Sequence, residues 1–254
     1  TLVDDGTPHL NPEYYDEIRR LKEKGILFAA VTGRAYDSCK GIFEPVLDDI
    51  LFVCDNGAMT VYKGEIISAH YMDLDLVKEI ANDIEDIPGC SSYISAVNNG
   101  YASAKDPQFC EWLKSGYGLR IMELPYMPDD MPDDDVLCIA LYHETNAEGV
   151  ASQGFYTKYH NHKDVDVVCS GKQWMNVCQK HVDKGTAVIE MLDILKLKKE
   201  EVIVVGDNMN DIGMLKAVPN SVAIGNARTE VKKAAKYVAD TNVNDGVLQI
   251  LKRL

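Results

Sequence analysis

The chain has 254 residues, 46% of them hydrophobic and 26% charged, which is enough apolar material for one large domain or two modest ones and excludes disorder as its main state. With 26 Lys and Arg against 40 Asp and Glu, the formal charge of −14 repels phosphate backbones and anionic lipid, so neither nucleic acid nor a membrane is expected as a partner. A small anionic ligand stays compatible with that charge wherever a lysine or a metal ion neutralises it locally.

In chain order, a polar loop leads to Asn11-Pro12, which read as the cap and first position of a helix, with Tyr15, Ile18 and Leu21 at helical spacing and Gly25 at its end. Residues 26–31 form a continuous apolar run, the pattern of a strand buried on both faces. Thr32-Gly33-Arg34 follows it. A second helix then leads to the strand Leu51-Phe52-Val53-Cys54, with Asp55-Asn56-Gly57-Ala58 at its end, and residues 60–68 read as a hairpin turning at Lys63-Gly64.

From Met72 the texture changes. A helix over residues 75–84 places Leu76, Ile80 and Ile84 on one face, and strands over 136–142 and 165–169 flank an acidic loop at 129–135, read as a solvated turn. His160-Asn161-His162 reads as an exposed loop, because no carboxylate or thiol at ligand spacing accompanies it. After Val182 the first texture returns. A helix over 184–195 has Met191, Leu192 and Leu195 inward, a buried strand over 202–205 ends in Gly206-Asp207-Asn208-Met209-Asn210-Asp211, and short strands start at Val222 and Tyr237. Buried strands alternating with helices predict an α/β fold, a doubly wound and mostly parallel Rossmann-like core sheet, with an inserted α+β domain. The expected boundaries are 1–71 with 182–254 for the discontinuous core and 72–181 for the insert.

No apolar run approaches the ~18 residues of a membrane span, and the first residues carry no basic region of a signal peptide. The seven cysteines include no Cys-x-x-Cys pair; Cys54, Cys138 and Cys169 lie in strand-like runs as small hydrophobes, and the expected setting is a reducing, cytoplasmic one.

Ligands of open parallel sheets bind beyond the carboxyl ends of the strands. Thr32-Gly33-Arg34, Asp55-Asn56-Gly57, the segment from Asp207 to Asp211 and Gly225-Asn226 all fall there, and Lys184, at a helix start, can reach the same edge. A hydroxyl, backbone amides and a lysine suit a phosphate. The pair Asp207 and Asp211, one helical turn apart, suits a hard cation such as Mg2+ shared with that phosphate. Each has a plainer alternative: Asp211 and Thr32 as helix caps, Lys184 as a solvated lysine.

Val31-Thr32-Gly33-Arg34, Lys184-Gly185 and Gly206-Asp207-Asn208-Met209-Asn210-Asp211, in that order and spacing, resemble motifs two, three and four of the haloacid dehalogenase-like phosphatases. Asn56-Gly57-Ala58, Ala223-Ile224-Gly225-Asn226-Ala227 and Asn244-Asp245-Gly246-Val247 resemble further signatures of the Cof-type subfamily (subfamily IIB), and the insert resembles its α/β cap domain. The resemblance spans almost the whole chain. It implies a Mg2+-dependent phosphatase of small phosphorylated metabolites, such as sugar phosphates, working through an aspartyl-phosphate. It further implies Asp207 as a metal ligand, Asp211 as an outer carboxylate acting through water, and Thr32, the Gly33 amide, Lys184 and Asn210 as the groups that hold the phosphate.

The resemblance departs at its first motif, Asp-x-Asp-Gly-Thr, which supplies the nucleophile and the acid–base aspartate. Val3-Asp4-Asp5-Gly6-Thr7 puts Val3 in the nucleophile's place, whereas Thr1-Leu2 fits the motif's tail. The expectation is therefore a nucleophile ahead of Thr1, on a strand between those over 26–31 and 202–205, and no activity from this chain without it. His181 stands where the family has Gly, and Asn176 where an acidic residue is common. Trp174, Tyr93 and Tyr101 are candidates for choosing the leaving group. A phosphomutase-type phosphotransferase shares the chemistry, and a non-catalytic phosphometabolite-binding protein fits if nothing precedes Thr1. The sequence does not set the oligomeric state.

Overall fold

The computed structural model describes residues 1–3, 9–152 and 154–254. Asp4, Asp5, Gly6 and Thr7, which carry the near-match to the first motif, lie outside the described residues. The chain begins with α1 (Glu13–Glu23), β1 (Phe28–Val31), α2 (Tyr36–Ile42), β2 (Ile50–Cys54), β3 (Met59–Tyr62) and β4 (Glu65–Ala69). It continues through α3 (Leu74–Glu85), β5 (Cys90–Ala96), β6 (Gly100–Ser103), α4 (Pro107–Tyr117), β7 (Ile121–Leu124) and β8 (Val136–His143). Then follow α5 (Ala147–Ala151), α6 (Phe155–His160), β9 (Val165–Cys169) and β10 (Trp174–Gln179). The last part holds α7 (Lys184–Leu195), β11 (Ile203–Gly206), α8 (Ile212–Ala217), β12 (Asn220–Ala223), α9 (Thr229–Ala234), β13 (Tyr237–Val238) and α10 (Gly246–Leu251). These fall into two compact units, Thr1–Ile67 with Asp183–Leu254 and, between them, Ser68–Val182.

In the discontinuous unit, β2 is the strand buried throughout. Its alternating side chains serve two faces. Leu51 and Val53 pack on Ala187 and Met191 of α7, while the Phe52 ring meets Tyr36 and Phe43 at centroid distances of 5.5 and 5.8 Å. Each such apolar side chain stabilises the unit by about 1.5–3 kcal/mol when fully buried. β1 runs parallel to β2, β3 pairs antiparallel with it, and β3 turns into β4 through Lys63 and Gly64, both at positive φ. β11, β12 and β13 form a second, parallel sheet.

Among the described residues the core strands form two sheets, and the strand expected between those over 26–31 and 202–205 is not among them. β1 and β11 each stand at a sheet edge, and no described strand pairs with the outer side of either. This edge position is why β1 is not buried on both faces: Ala30 is buried, but Ala29 is exposed, and so are Ile26 and Leu27, which precede the strand. On α1 the inward residues are Tyr14, Ile18 and Leu21, so Tyr14 takes the place expected of Tyr15. Leu195, expected inward, is exposed at the end of α7.

The middle unit is a six-stranded sheet in the order β7-β6-β5-β8-β10-β9, antiparallel except where β6 pairs with β7. On one face, Val77, Ile80 and Ile84 of α3 pack with Ile94, Ile139, Leu141 and Val177 of the sheet and with Tyr159 of α6. Asp73 caps α3 by accepting from the Leu76 N–H at 2.9 Å. Tyr101 belongs to this core, with its hydroxyl donating to Asp134 Oδ2 at 2.6 Å, so it packs and does not present itself for selection. Trp174 is half-buried in an aromatic group with Phe109, Trp112 and Tyr142. Its Nε1 donates to the Tyr117 hydroxyl at 3.0 Å. At the end of this unit His181 has φ 64°, the left-handed region that favours glycine, and its N–H donates to Asp166 Oδ2 at 2.8 Å. No helix among the described residues is long and apolar enough to cross a membrane.

Candidate active site

Three loops of the discontinuous unit follow strand ends, and hydrogen bonds tie them together. After β1, the Thr32 N–H donates to the Val53 carbonyl at 2.9 Å, and Thr32 Oγ1 accepts from the Arg34 N–H at 3.1 Å. After β2, Asp55 and Asn56 take φ of 50° and 57°, which turns the chain back, so that the Asn56 N–H reaches the Thr32 carbonyl at 2.9 Å. Gly57 follows at φ 110°, and a β-carbon there would lie 2.6 Å from the Asp183 carbonyl oxygen. Only glycine lets this turn and the start of α7 approach so closely.

That helix start is itself fixed. Asp183 accepts from the Gly185 and Thr186 N–H groups at 2.6 and 2.8 Å, and Thr186 Oγ1 accepts from the Asp183 N–H at 2.9 Å. This reciprocal cap sets the first turn, and with it Lys184. The Lys184 side chain is 7% exposed and its Nζ lies 2.6 Å from Oδ1 of Asp211, itself 2% exposed. Lys184 is therefore not a solvated lysine. Asp211 Oδ2 accepts from the backbone N–H groups of Asp207 at 2.8 Å and Asn208 at 3.0 Å. Burial opposes the charge on Asp211, but the Lys184 ammonium and the two backbone amides outweigh it and hold the carboxyl below the usual carboxylate range.

Asp207, at the end of β11, keeps 27% of its side chain exposed, and its Oδ1 contacts Thr1 through the hydroxyl and, at 3.2 Å, through the nitrogen. The neighbouring Asn210 donates through Nδ2 to Asn56 Oδ1 at 2.8 Å. The expected residues thus meet in two groups, Lys184 with Asp211, Asp207 and Thr1, and Asn210 with Asn56 beside Thr32 and Gly33. They join because Asn210 and Asp211 are consecutive. Gly225-Asn226 is engaged elsewhere, its N–H and side chain bonded to Asp240 and Asn242. Asn176, in the middle unit, is buried against Ser170 and Cys138.

The donor set can be tested against Mg2+. A hard cation takes oxygen ligands and keeps several waters, using one or two carboxylates plus substrate phosphate. Asp207 fits as one such ligand, with a carboxylate that solvent reaches. Asp211, buried with Lys184 on Oδ1 and two backbone amides on Oδ2, stands behind Asp207 in this donor set. Asn56, given no role in the sequence reading, is the residue that links the loops; the signal for it was an Asn-Gly pair at a strand end, where positive φ is tolerated.

The family model described as haloacid dehalogenase-like hydrolase matches residues 1–251. The chain is 23% identical over 246 residues to the 5-amino-6-(5-phospho-D-ribitylamino)uracil phosphatase YcsE of Bacillus subtilis, covering 96% of this chain and 88% of that one. It is 23% identical over 256 residues to the YbjI phosphatase of the same description from Escherichia coli, covering 100% and 92%. A crystal structure from Eubacterium rectale superposes with a TM-score of 0.84 at 30% identity, covering 100% of this chain and 95% of that one.

Proposed function

Because the chain belongs to the haloacid dehalogenase-like hydrolases and is a phosphatase of their Cof type, we propose that it hydrolyses small phosphorylated metabolites, sugar phosphates or similar monoesters, with Mg2+, at the carboxyl ends of β1, β2 and β11. The observation that carries this reading is the buried Lys184–Asp211 pair, whose carboxylate also fixes the Asp207 backbone. It supplies a rigid ammonium and a rigid Asp207 at one sheet edge, and donors fixed in advance need no reorganisation as charge develops on a phosphoryl group.

On this reading Thr32 Oγ1 and the Gly33 N–H hold phosphoryl oxygens, Lys184 meets their charge, and Asn210 adds an amide contact. Mg2+, where bound, would supply charge neutralisation for the transferring group. Asp207 would hold it, with Asp211 behind, acting through water and through the Asp207 backbone. The resemblance assigns the attack to the first-motif aspartate, which forms an aspartyl-phosphate, and assigns to the aspartate two residues later the protonation of the leaving group and then the activation of water. Both are expected ahead of Thr1. The unit Ser68–Val182 is read as the cap that selects the leaving group, with Trp174 as a selecting side chain. The relatives named for a phosphoribitylamino-uracil favour including a phosphorylated polyol bearing a ring among the substrates tried.

The test is phosphate release from a panel of monoesters by the protein carrying its first motif, with and without Mg2+ and with and without an acceptor sugar. The expected result is Mg2+-dependent free phosphate, unaffected by the acceptor, and a shift of about tenfold in relative rates among substrates in Trp174→Ala. No release from any ester overturns the reading. A phosphorylated acceptor in place of free phosphate reassigns it to phosphoryl transfer, and equal losses on every substrate make Trp174 a packing residue.

A further inference from the structure

Asn56 is 1% exposed, and its side-chain nitrogen has no hydrogen-bond partner among the described residues. A donor left unmade at that depth is costly and calls for an explanation. Turning the Asn56 amide alone would set its NH2 against that of Asn210. Oδ1 accepts from Asn210 Nδ2 at 2.8 Å, so the oxygen lies on that side and the nitrogen is directed away from it. The backbone fixes the rest of the residue, with φ 57° and the N–H bonded to the Thr32 carbonyl.

What lies over this amide is the bare α-carbon of Gly33. A β-carbon at Gly33 would stand 3.1 Å from Asn56 Oδ1 and 3.3 Å from Nδ2. The glycine therefore leaves a small space beside an aimed, unpaired donor, on the loop whose Thr32 hydroxyl and Gly33 amide are read as phosphate contacts. Resting on that phosphatase reading, we infer that Asn56 Nδ2 is a further substrate-contacting group, which donates to a phosphoryl oxygen held at the Thr32-Gly33 loop. Asn210 then has a second role, holding the Asn56 amide in the donating orientation.

Inorganic phosphate, added to the unmodified full chain with Mg2+ present, is the probe. The side-chain amide resonances of Asn56 are followed by NMR, and phosphate affinity is measured by calorimetry for wild type, Asn56→Ala and Asn56→Asp. A hydrogen bond to a charged group sets the scale. Saturation should shift the Asn56 amide resonances, Asn56→Ala should weaken binding about tenfold or more, and Asn56→Asp, which replaces the donor by a negative charge, about 100-fold or more. If the variants fail to fold, the resonances of the unmodified chain decide alone. Phosphate bound by wild type with the Asn56 resonances unmoved, or with both folded variants within about twofold of wild type, overturns this inference and leaves the phosphatase reading standing. Failure of wild type to bind phosphate overturns both.

Discussion

Lys184 Nζ lies 2.6 Å from Asp211 Oδ1 with both side chains almost wholly removed from solvent, and the other oxygen of that carboxylate accepts the backbone N–H groups of Asp207 and Asn208. The two residues stand 27 positions apart, one opening α7 and the other closing the turn before α8. One carboxylate therefore holds in place both a candidate phosphate-binding ammonium and the backbone of a candidate metal ligand.

Removing one partner leaves the other charge buried without compensation. Asp211→Ala should lose about 3–5 kcal/mol in urea denaturation. Lys184→Met added to it should cost much less than Lys184→Met alone, because the charge left unpaired is then gone. A loss under about 1 kcal/mol in Asp211→Ala, the worth of an exposed pair, would contradict the burial described.

His181 occupies a left-handed conformation at φ 64° where the resembling family has glycine. The strain of a β-carbon there is about 1–2 kcal/mol, partly offset by the greater freedom of glycine in the unfolded chain. His181→Gly should therefore raise stability by about 0.5–1 kcal/mol, while His181→Ala should show no gain. Chemical denaturation of both variants checks this, and destabilisation by glycine would speak against it.

The Tyr101 hydroxyl ionises late, pushed up to about 12 by burial and then by its bond to Asp134. A phenol whose pKa is raised on folding stabilises the protein fully below the unfolded value of about 10 and loses that contribution as pH climbs through the folded one. Stability should fall between pH about 10 and 12, and Tyr101→Phe should flatten that fall. Denaturation midpoints across this range decide it; an identical alkaline decline in both proteins would contradict it.

The candidate site was legible in the sequence wherever polar residues end an apolar run. Thr32, Asp207 and Asp211 could be read that way because strand ends of parallel sheets collect ligand chemistry. Lys184 was legible as a helix start, but its pairing with Asp211 was not, since no local pattern encodes a contact across 27 residues. Asn56 escaped a role because an Asn-Gly pair signals its positive φ but not its unpaired amide. β1 is less buried than its apolar run suggests because no described strand flanks its outer side, where the sequence reading puts the first-motif strand; β2, with the same texture and two neighbours, is buried throughout. Tyr101, a candidate for choosing the leaving group because it is aromatic, lies in the core of the middle unit, and the residue type alone does not tell a packing ring from a selecting one.

The most direct test of the account is a calorimetric Mg2+ titration in the presence of inorganic phosphate, comparing wild type with Asp207→Asn. The substitution removes charge and leaves volume unchanged. Wild type should bind the cation, and the variant, with its melting transition intact, should have lost that affinity by orders of magnitude. Undiminished Mg2+ affinity in Asp207→Asn would contradict the assignment of the metal to the end of β11.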